Sequence, residues 1–359
     1  MKKHNLLIAL SLSAAFLSCE DKKKTEENLF SIDSSQLKQV YHSNDALKLT
    51  IANKSETAID SVAYFLNDRK IGTARENQVL NYSLEQEKFG RIAIKAIVYH
   101  ANSPTETSSH IELASAITPK ILQYKIVNTF PHDIKAYTQG LEFYGDVLIE
   151  STGNGAGNGT GKKGVSSIRK VDYKTGKVLS IVELPETVFG EGATVLHDKI
   201  YQLTYKNNEA YVYHVETLER EKTIPYFKNM EGWGLTNDGT HLYMSNGSEK
   251  VYIIDPVTFK EVDYINIYTN NVKIGAINEM EWVNGKIYAN IYGERAIAII
   301  DPKSGAVEAA LDLSSLQTLV TYHPDLDVLN GIAYNPKTKT FFVTGKNWDK
   351  MFEIEIIYN

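Results

Sequence analysis

The feature that most constrains this chain is a short apolar strand that recurs along its C-terminal part. Val147–Ser151, Ile200–Thr204, Leu242–Asn246, Ile287–Ile291 and Phe341–Gly345 align as copies of one strand. Successive copies lie roughly 40 to 55 residues apart, the period of propeller blades. Each copy is preceded by another strand ending in a turn and followed by a third, such as Val251–Pro256 or Ala296–Pro302. A fourth follows turns such as Lys174-Thr175-Gly176-Lys177 and Lys303-Ser304-Gly305-Ala306. Four strands per copy make one blade. The last copy stops after its third strand, Met351–Tyr358, and Leu122–Phe130, at the start of the repeat region, is the expected fourth. Such a closure joins the first and last blades and removes open sheet edges. The expectation is an all-β chain with a five-bladed β-propeller over residues 121–359.

Upstream, the periodicity shortens to two. Leu47, Leu49 and Ile51, then Val62, Tyr64 and Leu66, then Ile92, Ile94, Ala96 and Val98 alternate with polar residues, the mark of half-buried strands. Asn67-Asp68 and Phe89-Gly90 supply turns between them. A small immunoglobulin-like β-sandwich over residues 30–116 is the economical reading. It carries no catalytic constellation and reads as a spacer or docking module.

The N-terminus reads as a processing signal. Lys2 and Lys3 precede an apolar stretch from Leu6 to Leu17, too short for a comfortable membrane span, which ends at Ser18 and the single cysteine, Cys19. This pattern resembles a bacterial lipoprotein signal, with residues 1–18 removed and Cys19 acylated. Residues 19–29 are charged and poor in apolar side chains, and read as a tether. Export with lipid anchoring to the bacterial envelope, at the periplasmic face or the cell surface, follows from that reading. One cysteine excludes an internal disulfide and a cysteine-based zinc site. A formal net charge of −6 gives no field for a nucleic-acid backbone.

Strands explain the apolar repeat, but they do not explain the polar and aromatic residues recurring at one end of it. These are Tyr137-Thr138-Gln139-Gly140-Leu141, Phe189-Gly190-Glu191-Gly192, Glu231-Gly232-Trp233-Gly234-Leu235-Thr236, Asn278-Glu279-Met280-Glu281 and Leu329-Asn330-Gly331-Ile332. In an antiparallel blade the start of the first strand and the end of the second lie together. Gln139, Glu191, Trp233, Asn278 and Asn330 therefore surround one mouth of the channel, with Thr204-Tyr205, Asn246, Asn290 to Tyr292 and Thr344 to Lys346 beside them. The glycines and Leu141, Leu235 and Ile332 read as packing. Buried Gln, Glu and Asn need partners, because each unsatisfied group costs about 1 to 3 kcal/mol, so the polar set points to a pocket.

These signatures, in this order, together with Phe130-Pro131-His132-Asp133, Glu150-Ser151-Thr152-Gly153, Ala289-Asn290 and Thr344-Gly345-Lys346, resemble the glutaminyl-peptide cyclotransferases of the plant and bacterial type. That resemblance spans 121–359 and leaves the N-terminal sandwich outside. It implies a five-bladed propeller that turns an N-terminal glutamine into pyroglutamate with release of ammonia. It also implies a catalytic carboxylate at Glu191, acting as a proton shuttle. Gln139, Asn278 and Lys346 would face the substrate amide and backbone, with Lys346 stabilising oxyanion charge or neutralising Glu191. Trp233 would form the wall against which the glutamine side chain folds. Tyr137, Tyr205 and Tyr292 would complete that wall, with Tyr where the family usually has Phe in the first case and Trp in the other two.

The Gly-rich run Gly153–Gly164 breaks the phosphate-binding pattern at Ala156 and Lys163 and reads as a flexible rim over the mouth. His132, His197, His214, His241 and His323 show no ligand spacing. No catalytic metal or other cofactor is expected, and a structural cation stays possible. The implied partners are a peptide or protein with N-terminal glutamine and, through Cys19, a membrane. Two rival readings remain at this stage: a non-catalytic envelope propeller binding peptides or glycans, and a metal-dependent lactonase.

Overall fold

A computed structural model describes residues 29–101, 104–157 and 162–358. The proposed leader, Cys19 and all of the tether but Leu29 lie outside the described residues. Among those residues the protein is all-β, with two short 3-10 turns, Ser34–Gln36 and Leu316–Leu319, and no α-helix. Among the described residues no helix is long and apolar enough to cross a membrane.

The N-terminal region holds a five-stranded sheet in the order Val40–His42, Thr105–Ala114, Gly90–Tyr99, Ser61–Leu66 and Arg69–Arg75. Two further strand pairs, Phe30–Ile32 with Ile51–Asn53 and Ala46–Leu49 with Leu80–Ser83, share its core. The alternating set, from Leu47 through Tyr64 to Val98, is buried in that core. Asn67 and Asp68 both take positive φ, 44° and 66°, between two paired strands. That twist matches a tight hairpin, and Asn and Asp tolerate it.

From Lys120 on, strands gather into antiparallel groups of four. The first group is Tyr137–Tyr144, Val147–Gly153, Ser167–Asp172 and Lys177–Glu183, and the second is Gly190–Leu196, Lys199–Thr204, Glu209–His214 and Arg220–Pro225. Leu235–Asn237, Leu242–Ser245, Lys250–Ile254 and Glu261–Asn266 follow, then Ile277–Val283, Lys286–Ile291, Ala296–Ile300 and Val307–Asp312. The last group, Leu329–Asn335, Thr340–Gly345 and Lys350–Ile357, is completed by Lys120–Pro131, antiparallel to Lys350–Ile357. The first residues of Lys120–Pro131 also pair in parallel with Val307–Asp312. The first strands of the groups pack side by side in a closed round, each against the next and the last against Tyr137–Tyr144.

Glycine sets how closely those inner strands approach. A Cβ on Gly234 would lie 1.7 Å from the Asn278 carbonyl oxygen, and one on Gly140 would lie 2.4 Å from the Ala193 amide nitrogen. Only a residue without a side chain fits between neighbouring backbones there.

The N-terminal region is seated on the third and fourth groups. Tyr268 and Ala306 enter its apolar core. Lys88 pairs with Asp263, the Tyr268 hydroxyl donates to Glu112, and Asn266 donates to the Phe89 carbonyl.

Candidate active site

Four of the five inner strands do not start as regular ladders, while Leu235–Asn237 pairs without a shift. Pairing of Tyr137–Tyr144 with its neighbour skips Gln139. In Gly190–Leu196 the register shifts across Glu191 and Gly192, in Ile277–Val283 across Asn278 and Glu279, and in Leu329–Asn335 across Asn330 and Gly331. Each shift is a β-bulge, which bends a strand and re-aims the unpaired side chain. The recurring polar residues are the bulged ones, which gives their recurrence at one strand end a mechanical cause.

Gln139, Glu191 and Asn278, with Tyr137, Tyr205, Trp233, Tyr292 and Lys346, line one cavity of about 220 Å³. Thr204, Asn246, Asn290 and Thr344 are not among the residues that line the cavity, but the eight residues to which the resemblance assigns catalytic or substrate-facing roles are brought together there. Phe189 joins them, a wall residue that the sequence reading quoted in a motif without assigning it a place. Asn330 differs. It is fully buried beneath the cavity, where its Nδ2 donates to the Thr138 carbonyl at 2.8 Å and to Gln139 Oε1 at 3.2 Å. Its bulge turns it onto the neighbouring strand, where it supports Gln139.

The wall is an aromatic arc. Phe189 meets Tyr137 edge-on at 6.0 Å and Tyr205 at 5.9 Å, and Trp233 meets Tyr292 edge-on at 5.8 Å between ring centroids. Trp233 is fixed by its Nε1, which donates to Glu231 at 3.1 Å. A Cβ on Gly247, whose φ is +78°, would strike the Trp233 ring at 2.6 Å. The Gly-rich run supports this wall at its described end. The Tyr137 ring lies where a Cβ on Gly155 would be, and Asn154 donates to the carbonyls of Glu186 and Val188. The flexible-rim reading is thus corrected for Gly153 to Gly155, which sit under the rings of Phe189 and Tyr137.

The polar floor is sharply defined. Gln139, Glu191, Asn278 and Lys346 are each between 2% and 5% exposed. Because Asn330 occupies the Gln139 amide oxygen, the Gln139 amide nitrogen is left for the cavity. Asn278 offers the complement, a buried Oδ1 with no partner among the described residues. Its backbone is held by Ser245, whose Oγ donates to the Asn278 carbonyl at 3.2 Å. The Glu191 carbonyl accepts from Ser151 Oγ, which in turn accepts from Gln202 Nε2 at 2.8 Å.

Burial pushes the Glu191 carboxyl well above the usual carboxylate range, opposed by Lys346 and reinforced by Glu231. Burial lowers the Lys346 ammonium, opposed by Glu191 and Asp327. Desolvation disfavours the charged form of each group, so the two approach one another in proton affinity. The Lys346 ammonium lies 4.8 Å from the centroid of Tyr137 and 5.1 Å from that of Tyr292. Among the described residues no group of His, Cys, Asp or Glu is arranged to hold a metal ion.

Beside this site, His132 faces the Trp348 carbonyl and Glu150, and Glu150 also accepts from Thr138 and Arg169. His132 thus packs within the fold, behind the strand that carries Gln139.

Comparison with known proteins fits this geometry. The profile of the family described as glutamine cyclotransferase matches residues 95–356. It begins upstream of residue 121, inside the strand Gly90–Tyr99, so the likeness reaches into the N-terminal region. A glutaminyl-peptide cyclotransferase of Arabidopsis thaliana is 37% identical over 243 residues, 67% of this chain and 73% of the relative. The crystal structure of Myxococcus xanthus glutaminyl cyclase matches with a TM-score of 0.59 and 30% identity, over 66% of this chain and 98% of that one. The chain belongs to the glutamine cyclotransferase family.

Proposed function

We propose that this protein cyclises the N-terminal glutamine of peptides or proteins to pyroglutamate, releasing ammonia. The observation that carries the reading is a complementary floor: a free Gln139 amide nitrogen and an unpartnered Asn278 Oδ1, from residues that line the same cavity as a buried carboxylate. A carboxamide presents one acceptor and two donors, and this pair can read it.

In this scheme the glutamine side chain folds back against Trp233, inside the arc of Tyr137, Phe189, Tyr205 and Tyr292. Gln139 and Lys346 point donors at the side-chain carbonyl oxygen, and Asn278 accepts from a substrate N–H. Glu191 takes a proton from the α-amino nitrogen as that nitrogen forms its bond to the side-chain carbon. The intermediate carries its negative charge on the carbonyl oxygen, where preorganised donors stabilise it. Its collapse breaks the carbon–nitrogen bond of the amide, and Glu191 returns its proton to the departing ammonia. A carboxylate with a raised proton affinity suits both transfers. Since nucleophile and electrophile share one residue, the pocket supplies conformation and charge more than encounter.

Mass spectrometry of a Gln-initiated peptide incubated with the purified protein tests the reaction. Ammonia loss at no more than the uncatalysed rate would remove the claim. Glu191→Gln is expected to lower kcat by about 10²- to 10⁴-fold, the usual contribution of a positioned acid–base group. Parent-like turnover would reassign the shuttle.

The four-stranded groups are read as the five blades of a propeller over 121–359, and residues 30–116 as an immunoglobulin-like sandwich seated on it. The leader of residues 1–18 is read as a lipoprotein signal, which would place the mature chain on the bacterial envelope through acylated Cys19. Labelling with radioactive fatty acid is expected to be lost in Cys19→Ser; equal labelling of that variant would refute the anchor.

A further inference from the structure

One side of the cavity is tied together by a hydroxyl that the reaction scheme does not use. The Tyr137 hydroxyl donates to Asp327 Oδ2 at 2.7 Å. Asp327 Oδ1 accepts from the Val328 amide at 2.7 Å, which fixes the carboxylate plane. The Asp327 amide donates to the Lys346 carbonyl at 3.1 Å, and the Lys346 amide donates to the Val328 carbonyl at 2.9 Å. The Trp348 indole donates to the Asp327 carbonyl at 2.9 Å. The Lys346 ammonium then returns to the Tyr137 ring face. Side chain, backbone and cation–π contact make one closed circuit, and the ring in it is backed by Gly155 and edged by Phe189.

We infer that Tyr137 and Asp327 act as positioning residues for Lys346, with the phenol holding the Asp327 carboxylate away from the ammonium so that Lys346 stays directed into the cavity. The charged and titratable groups that face Lys346 are Glu191, Asp327, Tyr137 and Tyr292. Of the two carboxylates, Glu191 belongs to the proton-transfer scheme. Asp327 would otherwise be a competing anion, since an unrestrained carboxylate gains more from direct pairing with an ammonium than from standing beside it. A buried lysine between two ring faces keeps its charge while leaving its N–H donors for an incoming oxygen.

Two variants separate this role from mere packing, because they act on the charge in opposite directions. Tyr137→Phe keeps the ring and frees the Asp327 carboxylate, so Lys346 should hold its proton more tightly. Asp327→Asn keeps the shape and removes the charge, so Lys346 should lose its proton more easily. Both shifts are readable without substrate by following the lysine ε-carbon signal of isotopically labelled protein by NMR through an alkaline titration, with Lys346→Met used only to assign the signal. A titration midpoint that rises in Tyr137→Phe and falls in Asp327→Asn is the expected result. Unmoved midpoints in both variants, or shifts of the same sign, would overturn the inference.

The kinetic arm rests on the proposed cyclisation. There kcat should fall by about 10- to 100-fold in Tyr137→Phe, the scale on which a misplacement of about 1 Å is felt, with KM near that of the parent. The alkaline limb of the rate profile should move with the NMR midpoint in each variant. A loss confined to KM would also overturn the inference. If the parent itself releases no ammonia, the cyclisation reading fails while the NMR titration still decides the role of Tyr137 and Asp327.

Discussion

Replacing Arg169 by Leu tests whether the fold behind the site depends on one buried ion pair. Arg169 reaches Glu150 Oε2 from Nε at 2.9 Å and from Nη2 at 2.6 Å, with the two side chains 5% and 1% exposed. Its Nη1 reaches Asp133 at 2.9 Å, but that carboxylate is 28% exposed and can turn to water. The cost of Arg169→Leu therefore falls on Glu150, which keeps only His132 at 3.0 Å and Thr138 at 2.7 Å. Removing one partner of a buried pair costs about 3 to 5 kcal/mol, because the other charge is left uncompensated.

That penalty should depend on pH in a defined sense. Burial by itself would raise the Glu150 carboxyl, but Arg169 and His132 outweigh it and hold the group well below the usual range. In the parent, this pair contributes stability that is fully present above the unfolded carboxyl pKa. The contribution is lost only as pH falls through the depressed folded value. In Arg169→Leu, burial dominates and the folded value rises above the unfolded one, so Glu150 can protonate instead of standing unpaired. The gap between parent and variant should be widest near neutrality and narrow toward pH of about 5. Urea unfolding followed by tryptophan fluorescence across that range reads the gap directly. The double variant Arg169→Leu/Glu150→Leu should cost less than Arg169→Leu alone. A neutral-pH cost below about 1 kcal/mol, the range of exposed pairs, or a gap indifferent to pH, would refute the reasoning.

Glu281→Gln should behave in the opposite sense. Burial and then the neighbouring Glu142 push the Glu281 carboxyl well above its usual range, so its contribution is present in acid and lost as pH rises. Gln keeps an acceptor for the Tyr334 amide, 2.8 Å away, and the variant should gain on the parent as urea midpoints are compared at increasing pH; a constant difference would count against a buried titrating group. Gly234→Ala should destabilise by about 1 to 3 kcal/mol, the cost of forced overpacking, because its Cβ would fall 1.7 Å from the Asn278 carbonyl oxygen. It should also lower turnover by displacing Asn278, and an unaltered melting temperature would show that the strands can part there.

The polar half of this site was legible in the sequence because one local device is used repeatedly. A bulge that opens four of the five inner strands must be filled by a residue able to leave the ladder, and it aims that residue at a fixed place, so Gln139, Glu191 and Asn278 recur in register. The apolar alternation of Leu47 to Val98 was legible for the same reason, since a strand period is local. What the sequence hid is contact between distant segments. Nothing near Asp327 marks it as the partner of a phenol 190 residues earlier, and Phe189 precedes its strand in a turn that carries no periodicity. Asn330 shares the signature of the mouth residues yet lies below them, because the bulge fixes where a side chain leaves the strand and the neighbouring strand decides what it meets.

The same geometry explains why the channel can hold two kinds of buried carboxylate with opposite proton affinities. Glu150 faces Arg169 and His132 and is held ionised. Glu279 and Glu281 lie on the inner strand Ile277–Val283, where their partners are backbone amides of Leu141, Ile332 and Tyr334. Amides favour a carboxylate but do not neutralise it, and burial wins. Glu191 extends this logic to the cavity, where burial outweighs Lys346 and no hydrogen bond to the carboxylate contributes. Glu279 lies in a bulge as Glu191 does, yet its carboxylate accepts from two backbone amides, so what the neighbouring inner strand presents, and not the bulge alone, decides which carboxylate is bonded.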